Sequence, residues 1–174
     1  MRKQKTARES LVTMTELVLP NDTNTLNNLM GGRMLHLMDI VSAISAQRHS
    51  NSVVVTASVD NVSFKEPIKL GNVITLSAKV TRAFKSSMEV HIEAWAEDVP
   101  AGKKFKSNEA FFTFVAVDSN NCPVNVPEVI PETEQEKQLF DSALRRRQLR
   151  LVLAGRMKPE EANELKSIFN LKNP

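Results

Sequence analysis

The chain has 174 residues, 41% hydrophobic and 25% charged, which fits one globular domain with its own core and leaves little room for a second. A formal net charge of +3 suits an anionic small molecule such as a nucleotide but falls far short of a nucleic-acid-binding signature. One cysteine, Cys122, excludes an intrachain disulfide and a cysteine-built metal site and fits a reducing compartment.

No apolar run approaches the ~20 residues that cross a bilayer. The basic start MRKQKTARES has no apolar stretch behind it, so it is not a secretory signal. The expectation is a cytoplasmic protein with no membrane or nucleic-acid partner.

Glu9 to Leu19 reads as a first strand ended by Pro20. The segment from Asn21 to Asn28 is polar and Asn-rich, and Gly31-Gly32 follows. Gly32 to Arg48 reads as a helix, with no proline and good helix formers throughout. Its apolar residues, Met34 to Ala46, lie around nearly the whole circumference, so burial on most sides is expected, as for a central helix wrapped by a sheet.

Four strands follow: Val53 to Phe64, Val73 to Lys85, Met88 to Glu97 and Phe105 to Asp118. The second and third alternate apolar and polar residues, so each sets one face in a core and one towards water. The Phe111–Val117 run implies burial on both faces, as in a central strand. The tail changes character. Pro123 to Pro131 is proline-rich, Glu132 to Leu153 is a charged helix carrying Arg145-Arg146-Arg147, and Pro159 to Leu165 is a short second helix with proline in its first turn. The expected division is 1–126 as a globular domain and 127–174 as a basic helical tail. The fold class is α+β.

The loop and helix start hold the best candidate site. Backbone N–H groups at a helix N-terminus are unpaired, and the helix dipole favours an anion there. Asp39, a carboxylate on a mostly apolar helix, is costly to bury without a role. Its bland reading is a structural pair with Arg48 or a lysine. His36 reads as a packing residue, His49 as a partner of the helix dipole, and His91 as exposed on a polar strand face. No cluster at ligand spacing suggests a metal, no Gly-x-Ser-x-Gly elbow suggests a serine hydrolase, and no cofactor is implied.

The element order, the loop Asn21-Asp22-Thr23-Asn24, the Gly31-Gly32 helix start, Leu37-Met38-Asp39, Arg48-His49 and Val59-Asp60-Asn61-Val62-Ser63-Phe64 resemble the hotdog-fold acyl-CoA thioesterases. Within them the similarity is to the group holding the brain-type and cytosolic acetyl-CoA hydrolases and their bacterial relatives. It covers roughly Glu9 to Val117. The resemblance implies a helix held in a curved antiparallel sheet, two protomers joined edge to edge, commonly as a trimer of dimers, and hydrolysis of fatty acyl-CoA to free acid and CoA at the dimer interface. It also implies a catalytic pair, Asn24 in the loop and Asp39 in the helix.

In that reading Asp39 accepts a proton from water or attacks directly. Asn24 holds the water or the carbonyl through its amide, and the N–H of Gly31 or Gly32 supplies the oxyanion donor. Asn61 and Ser63 line the pantetheine channel, and the turn bearing Arg82, Ser86 and Ser87 is similar to one that meets CoA in relatives. Asp39 lies seven residues beyond Gly32, about 10 Å along the helix at ~1.5 Å per residue. The acid therefore comes from a second chain, or the oxyanion is held elsewhere; a composite interface site resolves the conflict. Two rivals stand beside the hydrolase: a hotdog dehydratase, which usually places a histidine near the helix entry, and a non-catalytic acyl-CoA or nucleotide-binding regulator using the basic tail.

Overall fold

The computed structural model describes residues 3–64 and 66–168, with Asn61, Ser167 and Ile168 described by their backbone alone. The first elements are a short strand β1 (Gln4–Thr6), a 3-10 turn (Ala7–Ser10) and β2 (Val12–Leu17). The expected first strand starts late because Ser10 is diverted. Its hydroxyl donates to the Ala7 carbonyl at 2.7 Å and accepts the Val80 N–H at 2.9 Å, an alternative to ladder pairing open to short polar side chains.

Helix α1 (Gly31–Ser50) begins one residue earlier than expected and ends two later. It stops at Asn51, whose φ of 53° breaks the helical path while its N–H still bonds Gln47. Lys5 closes the end by donating to the Arg48 carbonyl at 2.7 Å, a cation at the negative pole of the helix. Four long strands follow: β3 (Val53–Phe64), β4 (Val73–Ala83), β5 (Ser87–Asp98) and β6 (Lys103–Val117). They agree with the alternation in the sequence to within two residues at nearly every end. Their spatial order does not follow the chain. With β2 they form a five-stranded antiparallel sheet in the order β2-β4-β5-β6-β3, so β3 crosses to the far edge and pairs only with β6.

Helix α1 packs against all five strands. Five strands at ~4.8 Å spacing span about 19 Å, wider than a helix, so one helix touches them all only if the sheet curls around it. Met34, Met38 and Val41 of α1 meet Leu76, Ile92, Phe112 and Phe114 in the core, each at most 1% exposed. Burial is less complete than the sequence suggests. Ile40 and Ile44 remain 37% and 39% exposed, because one side of α1 has no sheet across it in the described chain. Edge strand β3 is likewise exposed at Val53, Val55 and Val59.

A fifth pairing escaped the sequence. The proline-rich segment contains β7 (Glu128–Ile130), which runs parallel to β1. The chain divides into two compact units after Ile130, whereas the change in composition falls near Val126. His49 anchors the approach to β7. It is fully buried and its Nε2 lies 2.9 Å from the Pro127 carbonyl. An acceptor there requires the Nε2–H tautomer, and Nδ1 is left without a partner. Burial holds the imidazole below its ordinary value of 6.5, opposed by the Pro127 bond and helped by Lys5. His49 is thus a neutral core residue and not a charged dipole partner.

The sign follows from which state binds protons first. Below pH 6.5 the unfolded imidazole charges while the folded one stays neutral, so stability is full above that value and falls with acid until the folded group titrates. His49→Gln keeps a donor for Pro127 but cannot titrate. Chemical denaturation from pH 7.5 to about 5 should show a smaller loss of stability in the variant, against up to about 1.4 kcal/mol per pH unit from this group in the parent.

On the sheet face away from α1, pairing sets Glu93 directly opposite Glu109, an arrangement that repels. Lys106 relieves it by bonding both carboxylates, at 2.6 and 2.8 Å, and His91 adds a contact to Glu109 at 2.7 Å. His91 is therefore buried and bonded, not exposed as its alternation suggested. Burial works against charge on Glu109, but Lys106 and His91 outweigh it and hold the carboxyl below its ordinary value. Lys106→Met should lower stability at pH 7 by about 1 kcal/mol. The deficit should shrink as acid protonates Glu109, which a denaturation series across pH reads directly.

The second unit holds α2 (Glu134–Leu153), a 3-10 turn (Pro159–Glu161) and α3 (Asn163–Ile168). Thr133 and Glu136 form a reciprocal capping box at the start of α2. Gln148 of α2 accepts the first N–H groups of α3, from Glu164 at 2.9 Å and Leu165 at 3.3 Å. Among the described residues, no helix is long and apolar enough to cross a membrane.

Candidate active site

The loop before α1 is shaped by its asparagines. The Asn24 side-chain oxygen accepts N–H groups from Leu26 at 2.9 Å and Asn28 at 3.2 Å, an Asx turn that commits the oxygen to the backbone. Among the described residues its amide nitrogen has no hydrogen-bond partner. Asn27 supplies a left-handed turn at φ 57°. The loop is tied down by Leu29 N–H to Ile68 at 2.7 Å and by the Asp22–Arg33 ion pair at 2.8 Å.

No side chain caps α1, whose N-cap is Met30. The N–H groups of the first turn therefore point out without a protein acceptor in the cap, the condition for binding developing negative charge. Gly31 lies close under Phe64: a Cβ there would stand 3.3 Å from the ring, which would have to shift slightly. Gly32 has open space around it. Asn24 and Gly31 share a cleft of about 330 Å3 with Asn28, Met34, Phe64 and Asn108.

Asp39 lies elsewhere. It lines a second depression, of about 500 Å3, with Gly32, Leu35, Val59, Val62 and Phe112. It is half-buried and accepts a hydrogen bond from the Thr56 hydroxyl at 2.8 Å. Arg48, its suggested structural partner, instead donates to the Leu11 carbonyl at 2.7 Å. His36, expected to pack, is exposed at the rim of the Asp39 depression. One chain thus brings Asn24 to Gly31 and Asp39 to Gly32, in two separate hollows.

The other candidates distribute unevenly. Ser63 is exposed, and its carbonyl accepts the Asn108 amide at 2.7 Å, next to the Asn24 cleft. The Asn61 side chain lies outside the described residues. Arg82, Ser86 and Ser87 sit at the opposite end of the sheet. Ser87 pairs with Val115, seven residues along β6 from Asn108, which is about 23 Å at ~3.3 Å per residue. They do not join the Asn24 cleft of their own chain, because the β4–β5 hairpin turns at the other end of the ladder.

A family model for the thioesterase superfamily matches residues 26–102. The uncharacterized acyl-CoA thioester hydrolase YkhA of Bacillus subtilis is 42% identical over 139 residues, 80% of this chain and 81% of that protein. The chain belongs to the thioesterase superfamily. Among solved superfamily members, an apo hexameric acyl-CoA thioesterase superposes with a TM-score of 0.85 at 38% identity, covering 87% of this chain and 97% of the other. The acyl-CoA hydrolase of Staphylococcus aureus, solved with butyryl coenzyme A and coenzyme A, gives 0.81 at 36% identity over 87% and 94%. That enzyme has also been solved as alanine variants of one aspartate, one threonine and one asparagine. The thioesterase fold here is the expected hotdog, a long helix in a curved antiparallel sheet.

Thr56 escaped sequence reasoning. A threonine inside an alternating strand carries no signal of its own, and only the antiparallel passage of β3 past α1 sets it against Asp39. Asn108 and Ser107 were missed as well, though two polar residues leading into the apolar Phe111–Val117 run were a usable hint. Both are almost fully buried and line the Asn24 cleft.

Proposed function

We propose that this thioesterase-superfamily protein hydrolyses acyl-CoA thioesters at a site completed by two copies of the chain. Asp39 of one copy faces Asn24 and the α1 entrance of the other. The observation that carries the reading is the separation of Asp39 from Asn24: the acid shares one open hollow of the chain with Gly32, and the amide shares the other with Gly31. The surface around them supports a partner. Ile40 and Ile44 of α1 and the valines of edge strand β3 are exposed, and an exposed apolar edge is a template for pairing. We extend to this chain the hexameric assembly of the solved relative. The Arg82, Ser86 and Ser87 hairpin then contacts CoA from a neighbouring copy.

In the proposed reaction Thr56 holds one oxygen of the Asp39 carboxylate, and the other takes a proton from water as that water attacks the thioester carbon. The oxyanion that forms is met by the first-turn N–H groups of α1 and the Asn24 amide. Collapse breaks the C–S bond, and the proton on Asp39 passes to the departing thiolate. Acid and CoA leave, and no group on the protein is consumed.

Release of free thiol from acyl-CoAs between acetyl and palmitoyl tests the activity; a pure, folded protein with no release from any of them ends this reading. Thr56 orients the base and is not itself the base. Thr56→Val should therefore lower kcat about tenfold with KM nearly unchanged, and a change confined to KM would remove Thr56 from this role.

A further inference from the structure

Resting on that reading, the oxyanion needs two donors aimed at one point, the Asn24 amide and the first-turn N–H groups of α1, and these belong to different pieces of backbone. Asn24 sits in a small hairpin, closed at its base by the Met30 N–H donating to the Asp22 carbonyl at 2.9 Å. Inside it Thr23 bridges Leu29, and the Asn24 N–H donates to the Asn28 carbonyl at 2.8 Å. The returning arm is held from outside, by the Leu29 N–H to Ile68 at 2.7 Å and the Leu70 N–H to Asn27 at 2.9 Å. Among the described residues, no backbone hydrogen bond ties the Asn24 arm to the β3–β4 connection. The peptide between Met30 and Gly31 joins hairpin to helix, and a single covalent link is a hinge.

The second link is Arg33, in the first turn of α1. Its Nε donates to Asp22 Oδ1 at 2.8 Å, and the two side chains are 33% and 17% exposed. The other oxygen of that carboxylate accepts the Leu19 N–H at 3.1 Å. Asp22 thus fastens three segments at one point: the approach from β2, the hairpin base and the helix start. We infer that the Asp22–Arg33 pair is a positioning device, which holds Asn24 and the α1 entrance in one fixed relation so that both meet the same oxygen. A fully exposed ion pair contributes little, but this one is partly buried and spans the hinge. A second attachment turns the hinge into a rigid joint, and a misplacement of about 1 Å in such a site costs about a hundredfold in rate. Charge points the same way. Asp22 is an anion beside the helix start, where further negative charge must develop, and Arg33 offsets it.

The test is a cycle of variants read in kcat and KM. Arg33→Met keeps the stem and loses the guanidinium; kcat should fall about tenfold, by one common factor from acetyl- to palmitoyl-CoA, with KM nearly unchanged. Arg33→Lys keeps the charge and should stay within about threefold of wild type. Asp22→Asn keeps an acceptor for the Leu19 N–H and removes the anion, so it should fall less than Arg33→Met. The double variant Asp22→Asn/Arg33→Met should be no slower than Arg33→Met alone, because the two groups act as one unit. Losses that multiply in the double variant, an effect confined to KM, or wild-type kcat in Arg33→Met overturns the inference. Absence of turnover in the wild type is failure of the hydrolase reading alone, and amide hydrogen exchange then decides. The Leu26 and Asn28 N–H groups, which the Asn24 side chain holds, should exchange about tenfold faster in Arg33→Met while Val41 in the middle of α1 is unchanged. Equal exchange in both proteins, or acceleration that Val41 shares in full, ends the proposal.

Discussion

Asp39→Asn should leave a folded, assembled protein whose kcat on acyl-CoA falls about a thousandfold, the scale of losing a positioned general base. The substitution is nearly isosteric and preserves the side-chain oxygen that receives the Thr56 hydroxyl at 2.8 Å. Stability should therefore change by less than about 1 kcal/mol, and the melting temperature separates chemical loss from unfolding. Binding of CoA should persist, because the Arg82, Ser86 and Ser87 hairpin proposed to meet it is untouched. A variant that retains more than a tenth of wild-type turnover would remove Asp39 from the proposed chemistry.

Asn24→Asp should lower kcat about a hundredfold, comparable to loss of one oxyanion donor. The loop should survive, since a carboxylate oxygen can accept the Leu26 and Asn28 N–H groups as the amide oxygen does. What disappears is the N–H donor, and a negative charge replaces it where another is to develop. The two weak variants also test the shared site. Co-expressed in equal amounts, half of the random dimers are mixed, and each mixed dimer carries one intact site, which gives about a quarter of wild-type activity. If both groups act within one chain, mixing restores nothing. That outcome would overturn the two-copy arrangement while leaving the roles of Asp39 and Asn24 standing.

Much of the fold was legible in the chain. Alternation in Val73–Ala83 and Ser87–Asp98 reads out of local sequence because a strand turns successive side chains to opposite faces, and the period of two is visible without neighbours. Helix α1 was legible for the same reason, its composition favouring helix from end to end. The small departures all involve a partner far away in sequence. Ser10 leaves its strand for Val80, and β7 forms only because β1 lies beside it. His49 and His91 were misjudged because local alternation reports which face a residue takes, not what waits there: Pro127 for one, Glu109 for the other.

The candidate site divides along the same line. Gly31, Gly32 and Asp39 stood out as a glycine pair at a helix start and an acid on an apolar helix, whereas Asn24, one of four asparagines in its loop, was singled out by the family resemblance. The five strands of the main sheet and the central helix are in this sense determined by the sequence alone, through local periodicity and composition. The crossing of β3 to the sheet edge, the seating of Thr56 against Asp39 and the splitting of amide and acid into two hollows were decided only by the tertiary structure. Each depends on contacts between segments distant in the chain, and such contacts are selected by packing of the whole core, not by the preferences of any one stretch.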